Sequence, residues 1–288
     1  MKNFLLATRP KTLLAGVIPP VVAYAYALTT TQDDVSLYLM LAVLGALFIQ
    51  LATNFFNDVI DFEKGADAKR VGPTRVSAAG LVEIKTVKIW AYTCVSLAAF
   101  CGIPLIIRGG WPFLLLGVVS LYLTYGYTGG KVSLAYRGLG ELFVFLFFGL
   151  FSVMGSYYLF TLKLNAGSFI LATIFGLMAT TLIGVNNLRD RVTDMEVGKR
   201  TMATRFSERT YQYFIVGTIF APYVLLHYFQ DFKMIYWVFL GMVPALKLTL
   251  IIFKNKGAAL NEGLKFSGIH LVVLSVILSL VFIYESSL

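Results

Sequence analysis

Two short stretches of this chain carry residues whose types and spacing could do chemistry. The first, TNFFNDVIDFEKGAD (Thr53–Asp67), holds Asn54, Asn57, Asp58, Asp61 and Asp67. On an α-helix each residue advances about 100°, so with Asn54 at zero, Asn57 falls near about −60°, Asp58 near about +40° and Asp61 near about −20°. All four share one face, and Asp67 can fold back from the loop beyond. The second, NNLRDRVTD, sets Asn186, Asp190 and Asp194 at i, i+4 and i+8, one stripe along a helix. Two such stripes facing each other repel unless cations lie between them. Carboxylate and amide oxygens are hard ligands, which suit Mg²⁺ rather than zinc or copper.

Basic residues follow both stretches. Arg70 and Arg75 come after the first, Lys199 and Arg200 after the second, and Lys131 and Arg137 stand between them in the chain. Magnesium held by one or two carboxylates completes its shell with water and substrate phosphate. A diphosphate flanked by Arg and Lys is the economical inference. The plainer alternative is that the acids cap helices and pair with local cations at a wet surface.

The elements that position these residues are membrane helices. The chain is 58% hydrophobic and 14% charged, with a mean hydropathy of +0.78, where soluble domains carry about 25% charged residues. Apolar runs without strict alternation predict helices rather than a barrel, since backbone polar groups in a bilayer must be satisfied internally. Nine spans are expected, near 12–30, 36–57, 84–107, 112–128, 139–160, 167–188, 211–230, 234–253 and 267–284. The chain therefore reads as one all-α polytopic unit over residues 1–288. The segments on the N-terminal side of the membrane carry 3, 6, 2, 6 and 3 Lys+Arg, which is 20 of the 24 in the chain. That bias places the N-terminus and both acidic stretches in the cytoplasm and the C-terminus outside, in an inner (plasma) membrane. The net charge of +9 is then explained by topology and anionic lipid, without nucleic acid.

Only two loops are long, 58–83 and 189–210, and both fall on the inner side. Each begins where an apolar helix runs into an Asn/Asp cluster and continues into basic residues, which suggests two four-helix units about one site, plus a ninth helix. Matching clusters on one side weigh against the plain capping explanation, because charges beside hydrocarbon are costly and usually functional. Cys94, Cys101, His227 and His270 have no metal-ligand spacing and read as packing residues. The segment RPKTLLAGVIPPVVAYAYA has the look of a signal peptide, but its removal would upset a consistent orientation, so it is expected to stay as the first span.

These residues resemble the UbiA superfamily of intramembrane prenyltransferases. NDVID with Asp67 is similar to its first Asp-rich motif, and DRVTD followed by GKRT to its second. The tyrosine and lysine of YTGGK, Tyr127 and Lys131, match a Tyr/Lys pair four apart. RPKTL, NDVIDFEKGAD, GPTR and LAYRGLGELFVFLFFG resemble the branch that prenylates 1,4-dihydroxy-2-naphthoate in menaquinone formation. The first motif departs from the general pattern: Gly65 stands four residues after Asp61 and the next Asp is at 67, which leaves its third ligand open. The KVS of 131–133 is also unusual for that branch.

The resemblance implies Mg²⁺-dependent transfer of a polyprenyl group from its diphosphate to an aromatic acceptor, with decarboxylation. It implies Asn57, Asp58, Asp61, Asp67, Asn186, Asp190 and Asp194 as metal ligands, with Asp61, Asp190, Asp194 and Lys131 central to catalysis. Arg70, Arg75, Lys131 and Lys199 would clamp the diphosphate. Tyr127, Arg137, Glu141 and Arg9 would meet the acceptor or steady the allylic cation. Other acceptors, such as 4-hydroxybenzoate, a chlorophyllide or haem, fit less well given the GLGE block and the Gly65–Asp67 spacing. A secondary transporter would carry its acids near the bilayer midplane beside broken helices. Here Pro19, Pro20 and Pro244 have no acidic neighbours. Prenyl chain length and oligomeric state are not legible in the chain.

Overall fold

The computed structural model describes residues 2–65, 75–130 and 133–288. Asp67, Arg70 and Lys131 lie outside the described residues. Among those residues the chain is helical, with no strand. A short α1 (Lys2–Thr8) precedes α2 (Pro10–Ala27), α3 (Ser36–Glu63), α4 (Ile84–Gly109) and α5 (Trp111–Gly126). Then come α6 (Gly140–Thr161), α7 (Ala166–Glu196), the single turn α8 (Met202–Arg205), α9 (Glu208–Phe229), α10 (Ile235–Lys254) and α11 (Gly257–Ser286).

Seven of these helices (α3, α4, α6, α7, α9, α10 and α11) are long and apolar enough to cross a membrane. At the other two expected places stand the shorter apolar helices Thr12–Ala27 and Trp111–Gly126. The 16 residues of α5 rise about 24 Å, short of a hydrocarbon core of about 30 Å. The opposite holds for α3 and α7, with 28 and 31 residues. At about 42 and 46 Å they overrun the core by roughly two and three turns. The acidic stretches occupy the overrun. They are helical through Glu63 and Glu196, so the loops begin several residues later than the apolar runs suggest.

Each overrun stops at a glycine two residues past the helix, Gly65 (φ 71°) and Gly198 (φ 69°). That left-handed conformation is the common C-terminal stop, and a side chain there is strained. At its other end α7 opens on a capping box, with Ser168 N donating to Asn165 Oδ1 at 2.7 Å and Asn165 N to Ser168 Oγ at 3.2 Å.

The most enclosed helix is α7, packed against α6, α9 and α11, while α3 packs chiefly on α4. The middle of α6, Phe145–Met154, is π-helical. It crosses α7 so closely that a Cβ on Gly149 would lie 2.5 Å from the Ala172 carbonyl oxygen. Cys94 and Cys101 are buried and free. His270 is buried against the Tyr223 hydroxyl at 2.9 Å, away from the acidic helix ends. Large exposed side chains such as Ile107, Trp111 and Val224 lie on apolar helices, as a lipid-facing surface requires.

Candidate active site

A cavity of about 1230 Å³ runs through the bundle. Its inner end is polar, lined by Arg9, Asn54, Asn57, Asp61, Arg75, Tyr127, Thr128, Asn186, Asn187, Arg189 and Lys199. Farther along, the wall is apolar, with Phe100, Ile103, Leu114, Val118, Phe143, Phe147 and Phe151. Five of these (Phe100, Ile103, Leu114, Val118 and Phe151) are also exposed on the outer surface, so the cavity reaches the lipid-facing side along α4, α5 and α6. The rings of Phe143, just before the π-helical stretch, and of Phe147 and Phe151 within it stand in sequence along α6, with centroids 6.1 and 5.1 Å apart.

The first acidic stretch is built into the fold by residues 75–77. Asp61, 6% exposed, pairs through Oδ2 with Arg75 Nη2 at 2.6 Å and accepts the Tyr136 hydroxyl on Oδ1 at 3.0 Å. Arg75 also donates to the Asn57 carbonyl, while the Asn57 side chain accepts the Thr128 hydroxyl at 2.5 Å. Asn54 donates to the Thr8 carbonyl at 3.0 Å and to Thr12 Oγ1 at 3.2 Å, tying α3 to the α1–α2 junction.

Asp58, expected as a metal ligand, is bonded to residues 76 and 77. Its two oxygens accept the backbone N–H groups of Val76, at 3.2 Å, and Ser77, at 2.9 Å. It is 1% exposed and does not line the cavity. Its position on α3 turns the carboxylate toward the returning loop, where it caps two backbone donors that have no helix to bond within.

The second stretch is held by cations. Arg189 chelates Asp190, with Nε to Oδ1 at 2.7 Å and Nη2 to Oδ2 at 2.6 Å, and also donates to Asn186 Oδ1 at 2.9 Å. Asp194 pairs with Lys199 Nζ at 3.3 Å. Its other oxygen, Oδ2, is buried with no hydrogen-bond partner among the described residues. The two stretches meet electrostatically, since Asp61 feels Lys199, and Asp194 feels Asp61.

Tyr136 joins them. Besides its bond to Asp61, its ring lies under Lys64 Nζ at 4.2 Å and Lys199 Nζ at 5.5 Å. Its carbonyl accepts the Arg200 N–H at 3.2 Å. Burial holds the Lys64 ammonium below the usual lysine range, against the pull of Asp61. Burial first, and Asp61 second, push the Tyr136 phenol up. Lys64 also donates to the Thr128 carbonyl at 2.7 Å. None of Lys64, Thr128, Tyr136 or Arg189 stands out by spacing, although Tyr136 precedes Arg137 and Arg189 precedes Asp190 within stretches already singled out.

The expected acceptor residues divide. Arg9 and Tyr127 line the cavity, and Arg9 sits at the kink between α1 and α2 with φ 50°, a conformation that costs on the order of 1–2 kcal/mol for a non-glycine residue. Burial, then Glu141, then Asp61 push the Tyr127 phenol up. Arg137, by contrast, is exposed and does not line the cavity, and its carbonyl accepts Arg205 Nη2 at 2.7 Å. The loop turns Tyr136 inward and therefore Arg137 outward. Glu141 is buried behind the cavity wall, where Oε1 accepts Asn187 Nδ2 at 2.8 Å and the Tyr211 hydroxyl at 2.5 Å. It fixes Asn187, which does face the cavity.

No group of three or more His, Cys, Asp or Glu side chains placed to hold a metal occurs among the described residues. The donors are instead hard oxygens in ones and twos, with one orphaned carboxylate oxygen on Asp194. That fits Mg²⁺ shared with a substrate phosphate.

Residues 17–284 match the model of the UbiA prenyltransferase family. The chain is 33% identical over 248 residues to the 1,4-dihydroxy-2-naphthoate octaprenyltransferase of Escherichia coli, covering 83% of this chain and 80% of that one. It is 31% identical over 237 residues to the protein of the same name in Mycobacterium tuberculosis, covering 82% and 80%. Among solved structures, a UbiA homolog from Aeropyrum pernix superposes with a TM-score of 0.70 at 12% identity, covering 94% of this chain and 97% of the other. A UbiA homolog from Archaeoglobus fulgidus bound to DMAPP and Mg²⁺ gives 0.64 at 14% identity, covering 96% and 99%. At those identities the likeness is one of fold.

Proposed function

The chain belongs to the UbiA prenyltransferase family, and from that premise we propose that it transfers a polyprenyl group from its diphosphate to 1,4-dihydroxy-2-naphthoate, with loss of the carboxylate as CO₂. One cavity supports this reading: its polar end is lined by Asn54, Asn57 and Asp61 of the first acidic stretch and by Asn186 of the second, with Asp190 and Asp194 behind it, and its apolar end reaches lipid. The substrate has the same division, an anionic head and a hydrocarbon tail. The relatives named for this reaction, matched over about four fifths of their length, support the choice of acceptor.

Asn57 and Asp61 on α3, with Asn186, Asp190 and Asp194 on α7, would hold Mg²⁺. Bound there, magnesium supplies Lewis-acid stabilisation to the departing diphosphate. Arg75 and Lys199 flank the same space and add positive charge to the phosphate oxygens. Arg70 and Lys131, by their place in the motifs, complete the clamp. The positive-inside bias sets this end of the bundle in the cytoplasm, where a soluble head group has access.

The allylic carbon gains positive charge as its C–O bond breaks. Tyr127 and the faces of Phe143, Phe147 and Phe151 line the route, and aromatic faces steady a cation while excluding water that would quench it. Arg9, at the inner rim, is placed to meet the acceptor carboxylate. Glu141 acts one step back, holding Asn187 against the cavity. The electron-rich ring attacks the allylic carbon, the ring–carboxylate bond breaks, and diphosphate leaves with its electron pair.

The test is product formation by the purified protein in lipid, given Mg²⁺, a polyprenyl diphosphate and 1,4-dihydroxy-2-naphthoate, with product and CO₂ followed by mass spectrometry. A prenylated naphthoquinol, collected as the quinone once air has oxidised it, with CO₂, both lost in a folded Asp190→Ala variant, is the expected result. Transfer only to 4-hydroxybenzoate would keep the chemistry and change the acceptor.

A further inference from the structure

We propose that Arg189 is a built-in stand-in for the metal at the second acidic cluster, exchanged for the ion only when a diphosphate arrives to receive the displaced guanidinium. The inference rests on the metal–diphosphate reading above and assigns a residue to which that reading gives no role. Arg189 is 3% exposed yet belongs to the cavity wall. Both oxygens of Asp190 are covered by its N–H groups, at 2.7 and 2.6 Å, and Nη2 also reaches Asn186 Oδ1 at 2.9 Å. Asp190 and Asn186 stand one helical turn apart. The guanidinium thus engages two of the residues that would hold the ion.

Three physical consequences follow. A half-buried carboxylate favours a counter-charge, and Arg189, itself buried, provides it from the adjacent position in the chain. Any cation that coordinates Asp190 must first strip at least one of these charge-assisted bonds. The displaced guanidinium does not leave, because Nη1 is tethered to Asn261 Oδ1 of α11 at 3.0 Å. It remains beside the cluster with its fork of donors open, a geometry that matches two phosphate oxygens. Metal alone therefore binds at a penalty, diphosphate alone finds the fork occupied, and the two together relieve both. Binding of either must raise the affinity for the other by the same factor. Lys199 on Asp194 is a looser version of the same pairing, at 3.3 Å and with the lysine side chain 18% exposed.

The experiment measures Mn²⁺, as a paramagnetic substitute for Mg²⁺, on the full chain in lipid nanodiscs. Protein-bound signal is titrated with and without methylenediphosphonate, a diphosphate that cannot be cleaved. In the unmodified protein, diphosphonate should lower the Mn²⁺ midpoint by about tenfold or more, within the usual range of coupling between sites. Arg189→Gln should bind Mn²⁺ alone about tenfold more tightly than the unmodified protein and lose most of the coupling, which is the loss of one charge-assisted competitor. Arg189→Lys, which keeps the charge but not the fork, should fall between them. An unchanged Mn²⁺ midpoint in folded Arg189→Gln overturns the proposal. Where that variant does not fold, the unmodified protein decides alone: equal Mn²⁺ affinity with and without diphosphonate also overturns it. Absence of bound Mn²⁺ even with diphosphonate would instead remove the metal–diphosphate reading itself, and this proposal with it.

Discussion

The two acidic helix ends look alike in sequence and are held in opposite ways. At the end of α3 the carboxylates are committed to architecture: Asp58 caps Val76 and Ser77, and Asp61 is fixed by Arg75 and Tyr136. At the end of α7 they are held, among the described residues, by side-chain cations, and one Asp194 oxygen has no hydrogen-bond partner there. The first end reads as a fixed wall that turns Asn54, Asn57 and Asp61 to the cavity, the second as the exchangeable side. Similar motifs therefore need not share their labour equally.

The largest expected effect separates the two ends. Asp194→Ala should lower the prenyl transfer rate by at least about 10²-fold, the scale of removing a preorganised electrostatic contact. Its partner Lys199 is partly exposed and can turn to water, so the thermal midpoint should hardly move. Parallel rate and unfolding measurements on one preparation check this. A large stability loss with little loss of rate would erase the contrast.

Asp58→Ala is the mirror case. It leaves two backbone N–H groups without acceptors, which costs about 3–6 kcal/mol when each bond to a charged group is worth about 1.5–3 kcal/mol. The expected signature is a lower unfolding midpoint in detergent, with most of the rate surviving in whatever fraction stays folded. Asp58→Asn keeps one acceptor oxygen and should recover part of the loss. If Asp58→Ala instead stays fully stable and loses its activity, Asp58 is a ligand after all.

How much of this was legible beforehand depends on range. The apolar runs announced the helices, and the i, i+4, i+8 spacing already required α7 to continue helically beyond its apolar part, as it does to Glu196. Asp58, Arg137 and Glu141 could not be sorted the same way. Asp58 is directed by a bond to residues 76 and 77, Arg137 by the outward turn of its loop, and Glu141 by Asn187 and Tyr211, 46 and 70 residues away. Helical phase tells which residues share a face, but not which distant backbone will claim one of them. The shortness of α5 and the π-helical stretch of α6 were hidden for a related reason, because packing against neighbours and not hydropathy decides them.

Tyr136 tests whether the two ends work as one site. Tyr136→Phe removes the hydroxyl from Asp61 but leaves the ring beneath Lys64 and Lys199. A lost hydrogen bond to a charged group predicts a rate about tenfold lower. Tyr136→Ala also loses the cation–π contacts and should fall further. Equal losses in both variants would mean that the hydroxyl alone matters and the ring does not link the motifs.

The smallest effect belongs to the next residue along. Arg137 is an arginine in a motif loop, the kind of residue that a charge-counting argument assigns to a phosphate or a carboxylate. Its side chain is exposed, and backbone carbonyls, which any residue supplies, tie the loop to residues 199–205, Tyr136 accepting the Arg200 N–H and Arg137 accepting Arg205 Nη2. Arg137→Ala should therefore change stability by no more than about 0.5 kcal/mol, as surface substitutions do. The rate and the acceptor KM should stay within about twofold of the unmodified protein, because a factor of two is under about 0.5 kcal/mol. Arg9→Ala supplies the contrast, since Arg9 lines the cavity: its acceptor KM should rise while that of Arg137→Ala does not. A selective rise in acceptor KM for Arg137→Ala would show that the loop turns over during the reaction and brings Arg137 inside, making the present division of the loop one of two working arrangements.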